Sequence, residues 1–134
     1  IADVWIDDLF STAAKHGAAV LGIPVSSSLK RVEQSTITDS MSRDGVWESQ
    51  TPQVISRQTL VDAYVQVADA HTATDEAELV QRNGGSVQVV YGSPLNRKIT
   101  TKGDMKFAEI ALSVLPKKSI SGQAHPFGDD DMWR

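Results

Sequence analysis

The stretch that decides the fold is RQTLVDAYVQVADA, residues 57–70. Its apolar residues fit one face of a helix, and Ser56 just before it is a suitable N-cap because its side chain can accept a bond from the first turn. Four residues of the same stretch also alternate as they would in a strand, namely Val61, Ala63, Val65 and Val67. We predict a helix, which makes the chain an α+β protein. A strand here would instead make it a β-rich sandwich or barrel.

On the amino-terminal side, residues 4–21 are predicted to form a first helix. Apolar and small residues recur there at helical spacing, namely Ile6, Leu9, Phe10, Ala13, Gly17, Val20 and Leu21. Aspartates lie in the early turns and Lys15 lies later, an order that suits the helix dipole. Gly22 and Pro24 are expected to end this helix.

Residues 26–51 are predicted to be a long loop, with a short strand around 31–38. Ten of these 26 residues are serine or threonine, and such side chains compete for backbone hydrogen bonds. A structureless loop of this length is uncommon within a compact domain. We therefore expect that it packs on a partner or contains further elements that the pattern does not reveal.

On the carboxyl-terminal side, the sequence predicts a second central helix and then a β-hairpin. The helix covers 75–83 and ends at Asn83-Gly84-Gly85. Residues 86–91 give the clearest strand, and 98–101 are expected to return beside it after the turn residues 92–96.

The last predicted element is a C-terminal helix that begins at Asp104 as its cap and ends at Pro116. Residues 117–134 read as a polar tail with glycine and proline. Because 134 residues are enough for one domain of ordinary size, we expect the whole chain, 1–134, to form a single domain.

Composition excludes several classes of site. The chain has no cysteine, which rules out disulfides, thiol nucleophiles and cysteine-bound metal centres. A net charge of −4 argues against a chain that binds nucleic acid or anionic membranes over its whole surface. No apolar run approaches the roughly 20 residues of a membrane span. Composition does not identify a cellular compartment.

No catalytic signature is recognisable, and neither a catalytic residue nor a metal ligand is assigned. The three histidines are far apart, and no phosphate-binding loop or nucleophile elbow is present. His71 has the most suggestive neighbours, since four carboxylates lie close in sequence, namely Asp69, Asp75, Glu76 and Glu78. A small hydrolase using His71 is therefore one alternative function, and a solvated acidic surface is the other explanation. No cofactor is expected.

Residues 97–118 are basic within an acidic chain, with six lysines and arginines against two acids. If the hairpin and the last helix bring them together, they form a patch for phosphates or an acidic partner. The candidate patch consists of Arg97, Lys98, Lys102 and Lys106. A nucleic-acid-associated role is the second alternative function, and an ordinary solvated face is the other explanation.

The ends of the chain indicate contact with a partner. Ile1 in place of methionine predicts a piece cut from a longer polypeptide. Large apolar residues near the ends are candidate partner-binding anchors, namely Trp5, Leu9, Phe10 and Trp133. Residues 1–21 are also weighed as a membrane-contacting helix, although their aspartates favour packing on protein. The leading functional prediction is a non-enzymatic structural or assembly subunit, such as a viral particle component, that forms homo- or hetero-oligomers with other subunits.

Overall fold

The computed structural model describes residues 1–116 and centres on a three-stranded mixed sheet. Its elements in chain order are α1 (Asp3–His16), β1 (Ala18–Pro24), β2 (Leu29–Glu33), β3 (Thr36–Met41), β4 (Trp47–Ile55), α2 (Arg57–Gln66), a short 3-10 helix (Ala70–Thr72), α3 (Glu76–Arg82), β5 (Gln88–Tyr91) and α4 (Lys102–Val114). The α+β class is confirmed. The β-rich alternative is wrong, because residues 57–66 form a helix whose Ser56 cap accepts a bond from the Thr59 N–H.

The central strand of the sheet is β1, with β4 antiparallel on one side and β5 parallel on the other. Successive side chains of β1 point to opposite faces of the sheet. Ala19 and Leu21 meet α1, whose Leu9 is fully buried, whereas Val20 lies on the face that α3 covers. The sheet is therefore sandwiched, with α1 on one face and α2 and α3 on the other.

The predicted first helix, residues 4–21, extends past the end of α1 and includes the first residues of β1. Gly17 has a φ of +87°, and its N–H bonds to the Ala13 carbonyl, which ends α1 in a left-handed cap. The chain then enters β1, whose first five residues are all buried. A strand covered on both faces shows no apolar alternation. Val20 and Leu21 therefore continued the helical pattern by coincidence.

The predicted long loop at 26–51 is also wrong. It contains β2, β3 and the first part of β4. Gln34 and Ser35 both have positive φ and join β2 to β3 in a two-residue turn. Such turns normally use asparagine or glycine, so this pair gave no signal. We call β2 and β3 with their turn, residues 29–41, the arm hairpin.

The hairpin predicted at 86–101 does not form. The strand at 88–91 exists, but its partner is β1, in parallel register from Ala19 with Gln88 to Gly22 with Tyr91. Residues 98–101 have no strand structure and lead into α4. The cap of α4 is Thr101, and Asp104 is the third helical residue of a capping box rather than the cap itself.

Candidate functional site

The candidate site is a cavity of about 690 Å³ where the end of β1, the middle of β4 and the segment after β5 meet. Its lining residues are Ile23, Ser26, Glu48, Ser49, Gln50, Thr51, Gln53, Asp75, Pro94, Asn96, Arg97 and Lys98. Because β1 and β5 are parallel, their carboxyl ends lie at the same edge of the sheet, the usual place for ligands in such folds. We call this the site cavity.

Two of the predicted basic residues lie in the site cavity, and they differ in how they are held. Arg97 forms an ion pair with Asp104, with Nε 3.3 Å from Oδ1, and its guanidinium carbon lies 5.9 Å from the centre of the Phe107 ring. Lys98 is exposed and makes no ion pair or hydrogen bond with any residue of 1–116. Of these two residues, Lys98 is therefore the one whose charge has no partner within residues 1–116 and is available to a ligand.

Asp104 organises the backbone that follows Lys98. Its Oδ2 accepts bonds from the backbone N–H and the hydroxyl of both Thr100 and Thr101, at 2.8 to 3.1 Å. The Thr101 hydroxyl and the backbone N–H groups of both threonines lower the pKa of Asp104 from 3.8 to about 2. The residue is only 9% exposed. We call Arg97 and Lys98 the basic segment. Asp104 fixes the start of α4 and, through Thr100, the backbone on the carboxyl-terminal side of this segment.

A second carboxylate, Asp75, lines the site cavity itself. It caps α3 by accepting a 2.8 Å bond from the Glu78 N–H. Its other oxygen accepts from Gln53 Nε2 at 3.0 Å and from the Ser49 hydroxyl at 3.2 Å. Gln53 Oε1 in turn accepts from the Ala77 N–H. These bonds join β4 to α3 and fix the side chains of Asp75, Gln53 and Ser49 in the lining of the site cavity.

The surroundings of His71 do not form a hydrolytic site. His71 is exposed in the 3-10 helix, and no bond to its ring is found among the described residues. Glu78 is bound by the Thr74 hydroxyl and N–H and by Arg82, which hold its pKa at about 2. A carboxylate with so low a pKa is a poor general base at neutral pH. His71 does not line the site cavity.

The other candidate residues are dispersed. Lys102 and Lys106 line a separate open depression of about 510 Å³ with Ile99 and Met105. Trp5 and Leu9 are buried in the core of the chain itself, whereas Phe10 is 60% exposed. Trp133 and the predicted tail, 117–134, lie outside the described residues. A partner-binding or patch role for these residues stays a prediction.

Residues 1–116 contain neither a membrane-spanning helix nor a cluster of metal-binding side chains. No helix there has the length and apolar character needed to cross a bilayer. No group of three or more histidine or carboxylate side chains is placed to hold a metal ion. Contact of residues 1–21 with a membrane surface stays a prediction, although the apolar stripe of α1 faces the sheet.

Sequence reasoning found Lys98 and Arg97 through their local charge. It missed the amide side chains of the site, Gln50, Gln53 and Asn96, because uncharged polar residues in a serine-rich stretch carry no distinctive pattern. A signal was available at Asp75, which precedes a helical stretch as a good cap does. The sequence pattern alone presents Asp75 chiefly as a neighbour of His71.

The sequence matches known proteins along most of its length. The profile of the family described as 2-C-methyl-D-erythritol 4-phosphate cytidylyltransferase matches residues 1–114. A relative of that name from Halalkalibacterium halodurans is 40% identical over 114 residues, which are 84% of this chain and 50% of the relative. One from Bacillus velezensis is 41% identical over 106 residues, 78% of this chain and 46% of the relative.

Solved structures agree with these matches. The cytidylyltransferase of that name from Thermus thermophilus superposes with a TM-score of 0.71 at 31% identity, covering 82% of this chain and 55% of that one. The one from Francisella tularensis gives 0.72 at 30% identity, covering 81% and 52%. The chain spans about half the length of the curated relatives it matches.

These matches overturn the functional predictions made from sequence. The non-enzymatic assembly subunit and the viral particle component are wrong, because the matching family is named for an enzymatic activity. The expectation that the chain is not enzymatic is wrong for the same reason. The His71 hydrolase and the nucleic-acid-associated role are wrong because the family is named for a cytidylyltransferase. The sequence patterns described above did not reveal the family, whose profile matches residues 1–114. The chain belongs to the 2-C-methyl-D-erythritol 4-phosphate cytidylyltransferase family.

Proposed function

We propose that this chain forms part of an enzyme that transfers a cytidylyl group from CTP to 2-C-methyl-D-erythritol 4-phosphate. We further propose that the site cavity binds phosphate oxygens of these substrates through Lys98. The family match over residues 1–114 supports the reaction. All lining residues of the cavity lie within the matched range.

The chemistry explains why no protein nucleophile is needed. A phosphate oxygen of the acceptor forms a new bond to the α-phosphorus of CTP. The bond from that phosphorus to the bridging oxygen breaks, and pyrophosphate leaves with the electron pair. Both reactants are polyanions, so the protein's task is to hold them in line and to stabilise negative charge. This reaction depends on positioning and cations, as phosphoryl transfer generally does.

The observation that carries the proposal is the contrast between Arg97 and Lys98. Arg97 already has a carboxylate partner, whereas Lys98 has none among residues 1–116. Lys98 shares its cavity with hydroxyl and amide groups of Ser26, Thr51 and Asn96, and with the carboxylates of Glu48 and Asp75. Neither carboxylate forms an ion pair with Lys98, so its ammonium can supply charge to a phosphate without breaking an internal ion pair.

The test is replacement of Lys98 by alanine. We expect Lys98→Ala to weaken CTP or sugar-phosphate binding by roughly 10- to 100-fold, since a charge-assisted bond is lost. Binding is measured by calorimetry, and activity by pyrophosphate release that requires both substrates. Lys106→Ala is the matched control, because this lysine lies outside the site cavity. Unchanged affinity of Lys98→Ala for both substrates would show that the site cavity does not bind them through Lys98.

We also propose that two copies of the chain associate through the arm hairpin. Every residue of β3 is exposed, and Val32 and Ile37 are 55% and 62% exposed. A two-stranded hairpin is marginally stable alone in water, so burial against a second copy would supply the missing stabilisation.

Light scattering over a range of concentrations tests this association. Ile37→Ser should raise the dimer dissociation constant by roughly tenfold or more, because an aliphatic contact is lost. Val65→Ser is the control, since Val65 is an exposed aliphatic residue on α2, away from the hairpin. A wild-type chain that stays monomeric at all concentrations would contradict the proposed dimer.

A further inference from the structure

The segment after β5 crosses the end of β1 and reaches β4 on the far side. The crossing begins where the Gly92 N–H bonds to the Gly22 carbonyl at 2.8 Å. The turn then closes on itself, with the Asn96 N–H bonded to the Ser93 carbonyl at 2.9 Å. Because β5 does not pair with β4, this segment has no strand ladder to fix it there.

Gln50 supplies a substitute for that ladder. Its Nε2 donates to the Ser93 carbonyl at 2.9 Å, and the Ser93 N–H donates to its Oε1 at 3.3 Å. A side-chain amide that both donates to and accepts from one residue reproduces the pairing of two peptide groups in a sheet. Gln50 is part-buried, so water competes less for these bonds.

A bulge in β4 frees a second attachment point for this segment. Val20 pairs with Gln53 and Leu21 with Gln50, so two residues of β4 have no partner on β1. One of them, Thr51, offers its carbonyl to Asn96 Nδ2 at 2.8 Å. The turn after β5 is thus attached to β4 at two neighbouring points.

Gly92 is required by this arrangement. A Cβ built on Gly92 would collide with Oε1 of Gln50. Any larger residue there must displace the glutamine amide from Ser93. The bonds between Gln50 and Ser93 therefore depend on the absence of a side chain at Gly92.

We propose that Gln50 is a positioning residue for the basic segment, holding Lys98 where it faces the site cavity. This inference rests on the proposed function. Lys98 makes no bond of its own with residues 1–116, so its direction depends on how its flanks are held. Asn96 and Ser93 are fixed to β4 on one side, and Thr100 is fixed to Asp104 on the other. Gln50 makes the bonds that fix Ser93, on the amino-terminal side of Lys98.

A double-mutant cycle on CTP binding tests the inference. Gln50→Leu keeps the size of the side chain and removes both bonds, and we expect it to weaken CTP binding by about tenfold. If Gln50 acts through Lys98, the double variant Gln50→Leu, Lys98→Ala should bind within about twofold of Lys98→Ala alone. Additive losses, which a general structural role would produce, would overturn the inference.

Hydrogen exchange supplies a readout that does not depend on the ligand. In Gln50→Leu the Ser93 amide should exchange faster, while the Leu21 amide in β1 stays protected. Gln58→Leu is the matched control, because this glutamine also bonds a side chain, Asp62, but lies on α2. Unchanged exchange at Ser93, or full CTP affinity in Gln50→Leu, would overturn the inference and leave the proposed function standing. Unchanged binding of both CTP and the sugar phosphate in Lys98→Ala would instead overturn the proposed function, and this inference with it.

Discussion

The sheet and the arm hairpin are both built from paired strands, yet they differ in what covers them. In the sheet, β1 has five consecutive buried residues and is sandwiched between α1 and α3. In the arm hairpin, all residues of β3 and four of the five in β2 are exposed. Hydrogen bonding is similar in the two, and burial of apolar surface is not.

The difference shows that paired strands contribute differently to stability, depending on whether their side chains are buried. A buried strand stabilises the chain by removing apolar surface from water, at about 25 cal/mol for each Å². An exposed hairpin gains little from burial, and its net hydrogen-bond energy is small because water competes. We therefore expect the sheet to dominate the stability of the chain and the arm hairpin to act through what it contacts.

The largest effect should come from cutting a buried side chain in the sheet. Leu21→Ala should lower the free energy of unfolding by about 3 kcal/mol, because Leu21 is fully buried and its removal leaves a cavity. The paired variant in the arm hairpin, Val32→Ala, should stay within about 0.5 kcal/mol of wild type when both are measured at concentrations where the chain is monomeric. Urea unfolding followed by circular dichroism measures both. Equal losses would show that the hairpin belongs to the cooperative core.

A smaller effect should be a pH dependence of stability that comes from Asp104 and not from the arm hairpin. The folded pKa of Asp104, about 2, lies below its ordinary value of 3.8, so ionised Asp104 stabilises the fold. This contribution is complete above the ordinary value and is lost as the pH falls through 3.8 towards about 2. Asp104→Asn should lower Tm at pH 7 by about 5 °C, with a difference that shrinks in acid.

The matched control for this pH experiment is Glu33→Gln in the arm hairpin. Glu33 is an exposed carboxylate in β2. Its replacement should change neither the Tm at pH 7 nor its pH dependence. Thermal unfolding between pH 2 and pH 7 measures all three proteins. A pH dependence in Asp104→Asn identical to that of wild type would show that this carboxylate does not cause it.

The smallest effect should come from two glycines with left-handed backbones. Gly17, at the junction of α1 and β1, has a φ of +87°, and Gly45, between the arm hairpin and β4, has a φ of +72°. Alanine at either position is strained by roughly 1 kcal/mol. Gly17→Ala should show this cost in global unfolding, because its surroundings are fixed. Gly45→Ala should show less than half of it, since nothing lies within 4 Å of an added Cβ and the hairpin can shift.

Prediction from the sequence succeeded where the information is local. Ser56 caps α2 as predicted, through a bond from the N–H three positions ahead. That contact lies within one turn, so composition and spacing reveal it. Asp75 and Thr101 cap α3 and α4, but the sequence pattern did not assign either as a cap and named Asp104 for α4 instead. The strand at 88–91 was found because its valines stand between turn residues. That residues 1–134 form one domain stays a prediction.

Prediction failed where a residue's role depends on distant contacts. The helical pattern ran on through Val20, because a doubly covered strand looks like a buried helix when read by periodicity alone. The arm hairpin was missed because Gln34 and Ser35 take positive φ without glycine. In the site, Lys98 was visible as a charge, but Gln50 was not, since its bonds reach 43 residues along the chain.

The sequence by itself determined the α+β class, the three later helices, the strand at 88–91 and the local excess of positive charge after it. Each of these depends on contacts within a few residues, which side-chain type and spacing encode directly. Only the tertiary structure decided that β1 is a central strand, that β5 pairs with it in parallel, and that Lys98 rather than Lys106 faces the site cavity. Those outcomes depend on which surfaces become buried together, and burial is a property of the whole packed chain.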